Sequence, residues 1–227
     1  MLEDKELCAS AQEKIESLRA LMIEKMEPYS PRSGQKLVRL SVVFRQALLH
    51  RMVDLASAAI SMFRESRLIP GCALTRSLYE TVAQLHYFYK KLAAAVETEQ
   101  LEEITNHVVR GSWGSKDGST KHEAIQILTA IKHFNKEFPG VEAEYFHLCE
   151  YAHPNMKGGI GTYTRIELAT YDVEFGINPQ ALDMGTFGLV GLDIILQITK
   201  DLYDRHTNME SMFREVVYRN APGMFID

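Results

Sequence analysis

From Gly34 to Ser66 the chain runs for 33 residues without a proline, and its apolar positions Leu37, Leu40, Phe44, Leu48, Leu55, Ala59 and Met62 recur at helical spacing. One helix about 48 Å long is expected there, and an element of that length sets the height of whatever packs around it. The seven prolines, Pro28, Pro31, Pro70, Pro139, Pro154, Pro179 and Pro222, fall where an apolar 3.6-residue period starts or stops. An all-α bundle of seven to eight helices is therefore expected. It is read as one domain over residues 1–227, with a core at about 35–153 and C-terminal helices at 178–220.

The first helix is expected over Glu3 to Met26, with Leu7, Ala11, Ile15, Leu18 and Met22 as its stripe. A third follows Ile69-Pro70-Gly71 and runs to about Val96, apolar on nearly all sides and so expected at the centre. A fourth over Glu99 to Val109 leads into the Gly111 to Gly118 loop. A fifth spans Ser119 to Glu137 and a sixth Glu142 to Ala152. The connection from Pro154 to Ile177 is non-helical, and the alternation in Tyr171 to Phe175 and in Ile166 to Leu168 predicts a small β-hairpin. Asn178-Pro179 opens a seventh helix to Arg205, and a short eighth covers Met209 to Tyr218.

Three scattered cysteines and an acidic N-terminus with no apolar core behind it point to a reduced cytoplasmic location and away from export or membrane insertion. The net charge of -5 is unevenly spread: residues 32–91 carry ten Lys and Arg against three acids, or +7, leaving -12 elsewhere. Arg39, Arg45, Arg51, Arg64 and Arg67 form either a basic stripe suited to nucleic acid or a solvated face packed beside acidic helices. Gly185, Gly188 and Gly191 each weaken a helix, so close approach of another backbone is expected, from a neighbouring helix or from a second copy in a dimer.

No phosphate-binding or dinucleotide fingerprint is present, no cofactor is implied, and G-x-S-x-G is missing. His147 and His153 are six residues apart, about 240° around a helix, so they do not form a metal pair. Arg76 and Glu80 are at i and i+4, placed to meet on one face. His153, at a helix end before the long loop, completes the candidate catalytic set of Arg76, Glu80 and His153.

Leu74-Thr75-Arg76-Ser77-Leu78-Tyr79-Glu80-Thr81, followed by Leu148-Cys149-Glu150-Tyr151-Ala152-His153-Pro154, resembles a family of uncharacterised prokaryotic helical proteins related to the HEPN superfamily. The resemblance implies a helical, commonly dimeric protein associated with RNA in defence or stress systems. Active ribonucleases of that superfamily carry R-x(4-6)-H. Here the positions five to seven residues before His153 are Leu148, His147 and Phe146, and the one literal match is Arg45 with His50. A metal-independent ribonuclease would move a 2'-hydroxyl proton with a histidine and hold the developing phosphate charge with an arginine, using His153 with Arg76 or His50 with Arg45. Two alternatives remain: a nonenzymatic, self-associating scaffold in which His153 is buried, and a small-molecule hydrolase or binding module in which His153 lines an enclosed pocket with Tyr151 or Tyr163.

Overall fold

The computed structural model describes residues 2–26 and 36–220; Pro28, Pro31, Gly34 and Pro222 lie outside them, and Gly185 is described in backbone only. In chain order the elements are α1 (Leu2–Arg19), α2 (Lys36–Arg64), α3 (Leu68–Thr98), α4 (Glu102–Trp113), α5 (Ile127–Glu137), α6 (Val141–Ala152), α7 (Ile160–Tyr163), β1 (Thr164–Ile166), β2 (Val173–Phe175) and, after a 3-10 turn, α8 (Leu182–Asn220). This is an all-α bundle carrying one small antiparallel hairpin. Among the described residues no helix is long and apolar enough to cross a membrane.

As its apolar surround requires, α3 is the hub, packed on α2, α4, α5, α6 and α8. Its fully buried Leu78, Val82 and Leu85 join Ala11, Ile15 and Leu18 of α1, Leu49 and Met52 of α2, Phe134 of α5 and Leu192 and Leu196 of α8 in one continuous core. Asp193, which interrupts the longest apolar tract, is held by Lys14 of α1 at 2.6 Å.

Several boundaries differ from expectation. Pro70 lies inside the first turn of α3, where its missing N–H has no helical acceptor to lose; the chain breaks earlier, with Ser66 at φ 57°. Met22 to Met26 fall beyond α1, and the Ile23 N–H donates to Gln46 instead. The fifth helix starts at Ile127, because residues 114–124 are stitched into a loop by Ser115 N–H to the His122 carbonyl (2.9 Å) and Ala124 N–H to the Ser115 carbonyl (3.1 Å). The two helices expected after Asn178 are one. Thr207 returns its hydroxyl to the Tyr203 carbonyl and His206 is buried on the Leu85 carbonyl of α3, so the polar 206–208 stretch continues α8.

Gly188 and Gly191 of α8 are explained within the chain. A Cβ on Gly191 would sit 2.6 Å from Glu144 Oε1, and one on Gly188 would strike Phe63 and Cys72. Their flank packs against α2, α3 and α6, so it is not a surface for a second copy.

Candidate functional site

A concavity of about 780 Å³ lies between α2, α3, the end of α4 and the 114–127 segment. Gly111 lets α4 approach α2 closely: a Cβ there would stand 2.4 Å from the ring of buried Phe44. Gly114 ends α4 by donating its N–H to the Arg110 carbonyl (2.9 Å). Arg110 in turn donates from Nε to the Glu123 carbonyl at 3.0 Å and from Nη2 to that of Ala124, holding the loop that carries Lys116 against the helix. Trp113, the chain's one tryptophan, is left 59% exposed on the cleft wall. The floor is apolar, from Leu40, Phe44, Leu48 and Ile125, while Arg51, Arg76, Glu80, Gln84 and Lys116 give it polar walls.

Arg76 and Glu80 meet as their spacing predicts, at 3.0 Å. Their third partner is Tyr145 of α6, which donates its hydroxyl to Glu80 at 2.9 Å and lies under the guanidinium, with Arg76 Cζ 5.6 Å from the ring centroid. Burial pushes the Tyr145 phenol up to about 12, with the Arg76 hydrogen bond opposing the rise and the Glu80 carboxylate adding to it. Burial alone would lower the Arg76 pKa, but the Tyr145 hydrogen bond and the Glu80 carboxylate raise it further, so the triad holds one fixed cation. Two polar atoms on this cleft are buried without a hydrogen-bond partner, Arg76 Nε and Ser112 Oγ.

Arg76 also lines a second, adjoining depression of about 500 Å³ with Tyr145, Phe146, Cys149, His153 and Lys157. His153 is therefore on the same surface as Arg76, exposed rather than buried or enclosed, but the side chain that contacts the Arg76–Glu80 pair is Tyr145. His147 lines the same depression, bonded to Tyr151 at 3.2 Å and with its ring 4.3 Å from that of Phe187.

The alternative pair does not come together. Arg45 is buried and ion-paired to Glu210 of α8 at 2.8 Å, whereas His50 is exposed beside the Ile23 carbonyl (3.3 Å). Five residues on a helix are about 140° apart, which sends the two side chains to different neighbours. The basic stripe disperses for the same reason. Arg39, Arg45 and Arg51 are spaced by six and step about 120° around α2, so Arg51 alone of these three lines the cleft. Among the described residues no three His, Cys, Asp or Glu side chains converge as a metal site.

The composition of the cleft was only partly readable in advance. Arg76 and Glu80 are legible from i,i+4 spacing and Arg51 from the basic stripe, whereas Tyr145, Lys116 and Trp113 have no such pattern to mark them. A lone tryptophan between glycines was the available signal for the last. Comparison of the chain with family models, curated proteins and solved structures finds no match.

Proposed function

We propose that this protein binds single-stranded RNA along the track formed by the two adjoining concavities, with Arg76 at their junction. The observation that carries the reading is the convergence of Arg51, Arg76, Lys116 and Lys157 with one exposed aromatic in each concavity, Trp113 and Phe146. Cations that follow a backbone and rings on which bases stack are the two elements of sequence-tolerant single-strand binding. Glu80, paired to Arg76 and accepting from Tyr145, and Glu150, accepting from Asn155 at 2.8 Å, offset two of the four cations, so Arg51, Arg76, Lys116 and Lys157 leave the track at +2. Within its ion pair Arg76 still keeps 31% of its side chain exposed. A volume of about 780 Å³ also lies within the usual range for ligand clefts.

The reading is one of binding. Arg76 and His153 share the second depression, so a cleaving role would rest on that pair; the expected kinship with HEPN-related proteins belongs to this proposal and rests on residues 74–81 and 148–154. Fluorescence anisotropy of an end-labelled oligouridylate of about ten nucleotides tests it. Affinity should fall steeply between about 50 and 200 mM salt, and removing the exposed cations in Arg51→Ala with Lys116→Ala should weaken binding and flatten the salt slope by about two contacts. Absence of binding by the folded wild-type chain at low salt, or equal binding by the double variant, would overturn it.

A further inference from the structure

A separate concavity of about 370 Å³ lies where α3, α4 and the start of α5 meet, and only Ile125 lines both it and the Arg76 cleft. Glu103, His107 and Arg110 are four and three residues apart along α4, so they share the helix face that forms one wall. Lys91 of α3 stands on the second, its ammonium 5.6 Å from the Tyr87 ring centroid and 2.5 Å from the carboxylate of Glu103, whose side chain is 76% exposed. The third is the N-terminus of α5, where Gln126 makes no capping bond from its side chain and the first turn has no acidic residue. His107 is 5% exposed, with the Phe88 ring at 5.9 Å and that of Tyr87 at 5.1 Å, and its Nε2 is buried with no hydrogen-bond partner. The core histidine His206, by contrast, is paired through the same atom to the Leu85 carbonyl at 3.0 Å. Native interiors rarely leave such a nitrogen unpaired, and a bound molecule or ordered water is the usual reason where they do.

We propose that this concavity binds a phosphate monoester, with the phosphate between Lys91 and the α5 N-terminus and the organic body along Asn106, Gln126 and Thr129. Its charge chooses the anion. Lys91 and Arg110 less Glu103 leave +1, and the helix N-terminus adds roughly half a charge, so the site offers about +1.5. A phosphate monoester carries about -1.5 to -2 at neutral pH, which a carboxylate with its single charge does not match. His107 adds nothing to this balance, because burial, then the Lys91 and Arg110 charges, pushes its pKa down to about 4 and keeps it neutral. Arg110 gives Nε and Nη2 to the Glu123 and Ala124 carbonyls and so contributes mainly its field, while Lys91 can exchange an exposed carboxylate for the ligand. An ammonium beside the open N–H groups of a helix start is the usual setting for phosphate. The volume falls at the lower end of the range for ligand clefts, which suits an ester of mononucleotide size. Two sources carry this chemistry, a free small-molecule ester and the terminal phosphate of an RNA strand. The site does not rest on the RNA reading of the Arg76 track.

Isothermal titration calorimetry of the full chain at low salt with uridine 5'-monophosphate and with uridine tests the proposal, together with the anisotropy of 5'-phosphorylated and 5'-hydroxyl oligouridylates. The monophosphate should bind one to one and uridine should not. Lys91→Gln should raise the Kd of the phosphorylated ligand about ten- to a hundredfold, and Glu103→Gln, which removes the competing carboxylate, should lower it about two- to fivefold, both with circular dichroism unchanged. The His107 imidazole resonances should shift in step with saturation, which locates the ligand on this wall. A preference for the 5'-phosphorylated strand that Lys91→Gln abolishes assigns the phosphate to an RNA end, and binding of the monophosphate without that preference assigns it to a free ester. No preference for phosphate in either ligand pair, or a Lys91→Gln chain that binds as wild type does, would dismiss the site.

Discussion

Replacing Glu144 by glutamine should remove a pH-dependent weakness of the bundle. Glu144 projects from α6 against Gly191 of α8, beside Tyr79 and Cys72 of α3, and its Oε1 is buried with no hydrogen-bond partner. Burial pushes its pKa from the usual 4.5 up to about 7. Because the fold resists ionisation that the unfolded chain allows, stability is full below pH 4.5, declines as pH rises between 4.5 and 7, and stays reduced above that. At 1.36 kcal/mol per pH unit the interval corresponds to about 3 kcal/mol, which partial solvent access of the carboxyl reduces to about 1–2 kcal/mol. Glutamine has the same shape and no charge. Any offset from its amide is independent of pH, so the test is the difference between Glu144→Gln and wild type measured by urea unfolding from pH 4 to pH 8. The variant should gain about 1–2 kcal/mol relative to wild type across that range, a relative Tm gain of about 3–6 °C. Parallel stability profiles would refute the reasoning that this carboxylate is desolvated and unpaired.

Three further outcomes follow from the packing. Gly111→Ala should destabilise by about 1–2 kcal/mol in denaturant unfolding despite alanine's better helix propensity, since buried Phe44 cannot yield 2.4 Å contacts cheaply. Arg45→Met should destabilise by about 1–2 kcal/mol, because Glu210 of α8 loses its buried partner and keeps only Arg214 at 3.2 Å, and Arg45→Met with Glu210→Leu should recover much of that loss in the same assay. Glu137→Gln should cost about 1–2 kcal/mol at neutral pH, a cost that shrinks on acidification below pH 4.5, because Glu137 accepts from His86 at 3.1 Å and from Arg205 at 2.6 Å. Although burial opposes ionisation of Glu137, the His86 and Arg205 contacts lower its pKa, so its contribution is present above the usual 4.5 and lost as pH falls through the lowered value.

Helical periodicity located α2, α3 and α6 because each buries a broad stripe, and it named the stripe of α1, whose Ala11, Ile15 and Leu18 are fully buried. It failed where side chains make bonds that no local pattern displays. His206 reads as a polar interruption, yet it spans to the Leu85 carbonyl and keeps α8 continuous, with burial pushing its pKa down to about 3. Residues 119–126 have composition compatible with a helix, but Ser115 and Arg110 capture their backbone from a distance. At the site, an i,i+4 pair such as Arg76 and Glu80 is visible in sequence, whereas Tyr145 reaches it from 65 residues away through the packing of α6 on α3. Arg45 and Arg51 look equivalent in sequence; six residues of helical rotation send one into an ion pair with α8 and the other to the cleft.

Emission from Trp113 reads the track directly, since the chain has no other tryptophan and this one stands on the cleft wall beside Lys116. Titration with unlabelled oligouridylate should quench it in a saturable curve that superimposes on the anisotropy isotherm and is reversed by salt. Unchanged emission under conditions where the oligonucleotide is demonstrably bound would place the RNA elsewhere and contradict the assignment of this cleft.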